Sequence, residues 1–174
     1  MLLKRNNSAS SDNLSGGISK HQSENHSMRW FYRDPESTHQ GVAMVIHGLN
    51  LRPKRMMPII SSLKRSGIDA LRVSLHGHGD NFIHQDDLPE DAARLKAFKS
   101  VSYQLWNDEI YLAFCEAKKK ADQHSLPVFL VGYSFGALLG LDLFASRSDV
   151  DFDRMVLFAP ALKLHGFHYL GRIF

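Results

Sequence analysis

The chain has 174 residues, 44% of them hydrophobic and 22% charged, enough for one domain with a real core. Its 21 basic and 18 acidic residues leave a net charge of +3, too mild to imply a nucleic-acid partner. The isoelectric point near 9.0 keeps an anionic surface open as a partner. Cys115 is the only cysteine, so no internal disulfide can form and a reducing compartment is expected. No apolar run approaches the length of a bilayer span, and Met1-Leu2-Leu3-Lys4-Arg5 leads into polar residues rather than a signal-peptide core. The default expectation is a cytoplasmic protein without a transmembrane segment.

Residues 1–27 read as a disordered tail. Asn6 to Ser27 are rich in Ser, Asn, Gly, His and Gln and cannot bury enough apolar surface to offset the entropy of ordering. Residues 28–174 form the folded part. Met28 to Arg33 is predicted as a strand ended by Asp34-Pro35. Gly41 to Ile46 is a fully apolar strand running into the loop His47-Gly48-Leu49-Asn50. Met56, Ile59, Ile60 and Leu63 recur at helical spacing, with Gly67 closing that helix. Ile68 to Leu75 is the next strand, followed by His76-Gly77-His78-Gly79-Asp80. A short helix is expected around Pro89 to Phe98. From Val101 the helical period places Trp106, Ile110, Ala113, Phe114, Ala117 and Ala121 on one face. Lys118, Lys119 and Lys120 read as its solvated last turn, where positive charge suits the helix dipole. Met155 to Phe158 is a further strand of interior composition, ended by Ala159-Pro160.

The most informative stretch is Pro127 to Ala145. Val128 to Val131 read as a buried strand, and Ala137, Leu138, Leu139, Leu141, Leu143 and Phe144 as a helix apolar nearly all round. Between them Gly132-Tyr133-Ser134-Phe135-Gly136 fits G-x-S-x-G. A serine hydroxyl is a poor nucleophile and must project into a cleft where a base can reach it. A sharp strand-to-helix turn does this at the cost of backbone strain. Glycines two before and two after the serine leave room for neighbouring backbone. The Phe135 amide then heads a helix, where negative charge is stabilised.

Strands alternating with helices imply parallel pairing and right-handed crossovers, hence a three-layer α/β sandwich with a mostly parallel sheet. Ligands in such sheets sit at the carboxyl ends of the strands. Those ends carry His47-Gly48-Leu49, His76 to Asp80, Ser134 and Pro160.

With these residues placed, the chain resembles the α/β-hydrolase superfamily, and within it the serine esterase, lysophospholipase and monoacylglycerol-lipase branch. His47 to Asn50 is similar to the family's H-G-x-G oxyanion loop, with Asn50 where glycine is usual. His76 to Asp80 is similar to its R-G-H-G-x-S loop, with His76 in place of arginine. Gly132 to Gly136 holds the nucleophile. The resemblance covers Trp30 to about Leu162 and implies acyl transfer on a small-molecule ester or lipid, without cofactor or metal. It implies Ser134 as nucleophile, the amides of Leu49 and Phe135 as oxyanion donors, and His47, Gly48 and Tyr133 lining the substrate site.

The family's order is serine, then acid, then histidine. After Ser134 come Asp142, two helical turns on, and Asp149, Asp151 and Asp153, which precede the next strand and so belong to its amino end. His165 and His168 follow that strand before any further strand that would place a base. The chain therefore reads as a partial α/β-hydrolase fold lacking the last strands and the lid. It is expected to be inactive by itself for want of acid and base, with the strand Met155 to Phe158 left as an open edge prone to self-association.

Other readings compete. The first is a non-enzymatic hydrolase-fold binding module or a truncated product. The second is a metal-dependent hydrolase using His76, His78 and Asp80, a spacing similar to the metallo-β-lactamase motif, although Asn81 stands where that motif has its last histidine. The third is nucleotide binding at Gly132, Gly136 and Gly140, although Leu138 stands where a further glycine is usual. Plainer roles fit single residues: His47 bonding backbone at a strand end, His124 suiting a helix end, and Cys115 as a small buried hydrophobe.

Overall fold

A computed structural model describes residues 27–82 and 87–161. All but the last residue of the expected tail 1–27 lies outside them, as do His84, Leu162, His165 and His168.

Five strands form one sheet in the order β1-β3-β2-β4-β5. The central strand is β2 (Gly41–Ile46), which pairs in parallel with β3 (Ile68–Val73) on one side and β4 (Val128–Tyr133) on the other. All six residues of β2 are buried, as an apolar run covered on both faces requires. Strand β5 (Arg154–Phe158) adds in parallel beside β4, and β1 (Met28–Phe31) adds antiparallel beside β3. The first strand ends two residues earlier than the sequence predicts. The mostly parallel sheet and its helical connections bear out the expected α/β class.

The helices divide between the two faces. On one face lies α1 (Met57–Arg65), preceded by a 3-10 turn (Pro53–Met56) and closed at Gly67, which has φ 76°. Met56 and Ile60 pack there with Ala43, Val45, Ala70 and Val131. A short helix, α2 (Glu90–Lys99), follows the second loop. The other face carries α3 (Tyr103–Asp122) and α4 (Phe135–Ser146). Ser102 caps α3 by accepting a hydrogen bond from the Leu105 amide at 3.0 Å. The six residues of α3 predicted to share a face are its buried residues. They pack with Met44, Ile46, Leu71, Leu130, Leu139 and Leu143 into the larger core.

Burial differs from what composition alone suggests at three places. Helix α4 buries Gly136, Ala137, Leu139, Gly140 and Leu143, but Phe144 on its outer side is exposed. Strand β5 has interior composition, yet Arg154, Val156 and Phe158 are exposed while Met155 and Leu157 are half-buried against the larger core. The register sets Val156 beside Val131 and Phe158 beside Tyr133. Paired residues share a face, so these lie on the side where α1 covers β2 and β3. Among the described residues no helix reaches the β5 half of that side, and Tyr133, Val156 and Phe158 stay 39–47% exposed. Cys115, expected to be buried, is exposed.

Candidate active site

Ser134 sits at the one-residue turn between β4 and α4, with φ 51° and ψ −113°. A side chain at positive φ is strained, costing of order 1–3 kcal/mol, and surrounding structure must hold it. Here the holding is done by backbone. The Ser134 amide donates to the Phe158 carbonyl at 2.8 Å, extending the β4–β5 ladder past its last pair. The Ser134 carbonyl accepts from Ala137 and Leu138 at 3.1 and 3.2 Å and from Ala161 at 3.3 Å.

The flanking glycines are required by close approach. A Cβ on Gly132 would lie 2.5 Å from Cα of Ala137, and one on Gly136 would lie 2.4 Å from the carbonyl oxygen of His47. The first step of α4 therefore packs directly on the end of β2. The loop after β2 meets the serine in turn: a Cβ on Gly48 would lie 3.0 Å from the Tyr133 ring and 3.2 Å from Cβ of Ser134. Leu49 follows Gly48, and its amide has no acceptor among the described residues. The Phe135 amide is the first of α4, one of the donors a helix leaves unpaired. The Phe135 ring stands edge-on to Trp106, with centroids 5.2 Å apart.

His47 is fully buried. Its Nε2 accepts from the Leu75 amide at 3.2 Å, so the proton sits on Nδ1, which donates to the Gly48 carbonyl at 2.8 Å. Burial holds its pKa down at about 4, with the backbone acceptor opposing. The expectation that His47 lines a substrate site is corrected, because its ring is enclosed and both nitrogens are taken. The backbone-bonding role expected for it is what the geometry has.

The second loop braces the first. His78 Nε2 donates to the Leu49 carbonyl at 2.6 Å. Glu109 on α3 accepts from the His76 amide and from Asn81 Nδ2, each at 2.8 Å, and Asn81 also donates to the Ser74 carbonyl. The Trp106 indole donates to the His76 carbonyl at 3.2 Å. Desolvation, the largest influence on Glu109, raises its pKa. The motif around His78 was visible in the sequence, but nothing there named its partner. Asn81, Trp106 and Glu109 were missed as supports because their role depends on which elements the fold brings beside them.

This arrangement corrects the metal reading. His76 faces Glu109, with Nδ1 3.9 Å from Oε1, while His78 turns to Leu49. Among the described residues no three of His, Cys, Asp and Glu converge to hold a metal ion. No described histidine is bonded to Ser134: His39 lies against Asp69, and His124 packs on His39. The acids are also engaged elsewhere. Asp142 accepts from Tyr103 at 2.9 Å, Asp149 from Tyr111 at 2.6 Å, and Asp153 from the Val128 amide at the amino end of β4.

Against known proteins, the chain matches the model of the family described as "Serine aminopeptidase, S33" over residues 37–171. The chain belongs to this family. Similar solved structures include a soluble variant of monoglyceride lipase from Saccharomyces cerevisiae in complex with a substrate analogue, with TM-score 0.66 and 12% identity over 83% of this chain and 44% of that one. A thermostable carboxyl esterase from Bacillus coagulans in complex with glycerol aligns with TM-score 0.55 and 17% identity, over 75% and 39% of the two chains. Est1E from Butyrivibrio proteoclasticus, with ferulic acid bound, aligns with TM-score 0.56 and 19% identity, over 77% and 49%. The present chain thus spans less than half the length of each. The likeness establishes the α/β-hydrolase fold. No curated protein sequence matches significantly.

The strain at Ser134 is measurable. Ser134→Gly keeps the turn and removes the Cβ that strains it, so it should be about 1 kcal/mol more stable than Ser134→Ala after glycine's entropy cost, read from denaturant midpoints. Equal stability of the two variants would mean that the turn is unstrained.

His47 makes the fold acid-sensitive. The unfolded chain takes up a proton near pH 6.5, whereas the folded ring stays neutral down to about pH 4. Stability is therefore lost as pH falls through that window, by of order 3 kcal/mol. Unfolding free energies between pH 8 and pH 4.5 should fall more steeply for the natural chain than for His47→Gln.

Proposed function

We propose that this chain carries the nucleophile half of a serine ester hydrolase, acting on a small-molecule ester or a lipid. The observation that supports this most directly is Ser134 at positive φ between a strand and a helix, with the Gly48–Leu49 loop in contact with it. In the reaction, Ser134 Oγ attacks the ester carbonyl carbon and the carbonyl oxygen takes up the displaced electron pair. The amides of Leu49 and Phe135 stabilise that oxyanion, the latter aided by the positive end of α4. Collapse of the tetrahedral intermediate expels the alcohol and leaves an acyl-serine, which water then clears. Gly48 and Tyr133 line the approach. The family match and the lipase and esterase neighbours favour this chemistry.

The serine proton needs a base, and each described histidine is engaged elsewhere. The 174-residue chain should therefore hydrolyse p-nitrophenyl butyrate barely above background. Added imidazole, standing in for the base, should raise the rate in the natural chain above that in Ser134→Ala. No difference between the two would count against Ser134. A high rate without imidazole, abolished in Ser134→Ala, would place a base inside this chain, with His165 and His168 the first to replace.

A non-enzymatic role has its own support in the uncovered side of β4 and β5. Tyr133, Val156 and Phe158 form an exposed apolar row beside a strand edge that no described strand pairs. A second copy of this chain presents the same edge and the same row, so a two-fold pairing would cover both. Light scattering after size exclusion should show dimers or larger species for the natural chain and a shift toward monomer for Val156→Lys with Phe158→Lys. A monomeric natural chain would remove this reading.

A further inference from the structure

A second cleft lies beyond the Leu49–Leu51 loop, bounded by β1, β3 and the 3-10 turn, with a volume of about 640 Å³. Neither Ser134 nor Phe135 lines it. Its walls carry five cations, Arg29, Arg52, Lys54, Arg72 and Arg94, against a single carboxylate, Asp80. Arg94 is already neutralised: its guanidinium bonds Glu90 and Asp91 and reaches the Gly79 carbonyl at 3.2 Å. Among the described residues, Arg29, Arg52, Lys54 and Arg72 form no ion pair.

Two of these charges are forced together. The antiparallel register sets Arg29 directly opposite Arg72. Like charges in that relation destabilise a sheet. Both guanidinium groups lie over the same Phe31 ring, their Cζ atoms 5.4 and 5.3 Å from its centroid. Arg72 is the deeper. Its Nε is buried with no hydrogen-bond partner, and its Nη1 meets only the Met57 sulfur, a weak acceptor, at 3.9 Å. Burial first, and then Arg29, pull the Arg72 pKa down, with Asp80 opposing. A guanidinium does not give up its proton at ordinary pH, so the repulsion persists and a bound anion would relieve it.

We propose that this cleft binds the phosphate group of a small molecule, held between Arg29 and Arg72 with Arg52 and Lys54 at its rim. A carboxylate would satisfy one guanidinium. A phosphate dianion presents enough oxygens to face two guanidinium groups on neighbouring strands and a lysine besides. Phe31, Leu51 and Met57 supply an apolar wall for the carbon part of the ligand. Because Leu49 to Leu51 also line the cleft, the bound molecule touches the loop that borders Ser134.

The test uses the full chain at near-physiological ionic strength, titrated with inorganic phosphate by calorimetry and by thermal melting. Phosphate should bind and raise the melting temperature, while acetate binds at least about tenfold more weakly. Arg72→Gln and Arg29→Gln should each weaken phosphate about tenfold or more. Arg52→Gln, at the exposed rim, should weaken it a few-fold, and Lys118→Gln on α3 should leave it unchanged. Should Arg72→Gln fail to fold, Arg29→Gln on the edge strand and Arg52→Gln carry the same question. Ser134→Ala should bind phosphate as the natural chain does, which separates this site from the hydrolase reading. Glycerol phosphate and monomeric dihexanoyl phosphatidate then distinguish a free metabolite from a lipid head group, since the true source binds more tightly and in an Arg72-dependent way. Failure of phosphate to bind, equal binding of acetate, or full binding by the Arg29 and Arg52 variants would overturn the proposal.

Discussion

The close approach of α4 to the end of β2 governs the candidate site. With Gly136 against the His47 carbonyl and Gly132 against Ala137, helix and strand meet backbone to backbone. No side chain of any size fits between them, so the connecting residue has one path, and that path runs through positive φ at Ser134. The strain is local, but its support is distributed. It comes from the Phe158 carbonyl on the neighbouring strand, from the first turn of α4, and from Ala161 beyond β5. The same contact that forces the turn also brings the loop after β2 against the serine, so Ser134 and the Gly48–Leu49 loop are positioned by one packing event.

Polar groups under that loop hold it in place. His47 is neutral and enclosed, spending both ring nitrogens on backbone. His78 reaches across from the second loop to the Leu49 carbonyl, and that second loop is fastened in turn by Glu109, Asn81 and Trp106. A partly buried network of this kind is stable only while each member keeps its partner, because an orphaned group away from water costs more than the bond contributed. His47 and His78, which look like metal ligands or bases in isolation, are thereby committed to holding backbone.

The sheet is unequally covered, and the two incomplete regions differ in chemistry. Toward β5 the surface is apolar, with Val156, Phe158 and Tyr133 open to solvent. Toward β1 it is cationic, with Arg29 and Arg72 opposed across the ladder. The first calls for an apolar partner and the second for an anion. Both flank the loops around Ser134 without including it.

Much of the architecture was legible in the order of residues. Periodicity alone marked the buried face of α3, because a helix packed on a sheet must repeat its apolar residues every three to four positions. The apolar run Gly41–Ile46 announced a central strand, and G-x-S-x-G between a strand and a helix announced the turn at Ser134. Tertiary structure decided what depends on neighbours distant in the chain. It enclosed His47, turned His78 Nε2 to the Leu49 carbonyl with Nδ1 3.3 Å from the His76 carbonyl, recruited Glu109 and Trp106, and chose the sheet face on which Val156 and Phe158 lie uncovered. It also set Arg29 opposite Arg72, residues that nothing in the sequence ties together. Local pattern reports how each segment prefers to fold; which polar group finds a partner, and which charge is left without one, is settled only when the strands are paired.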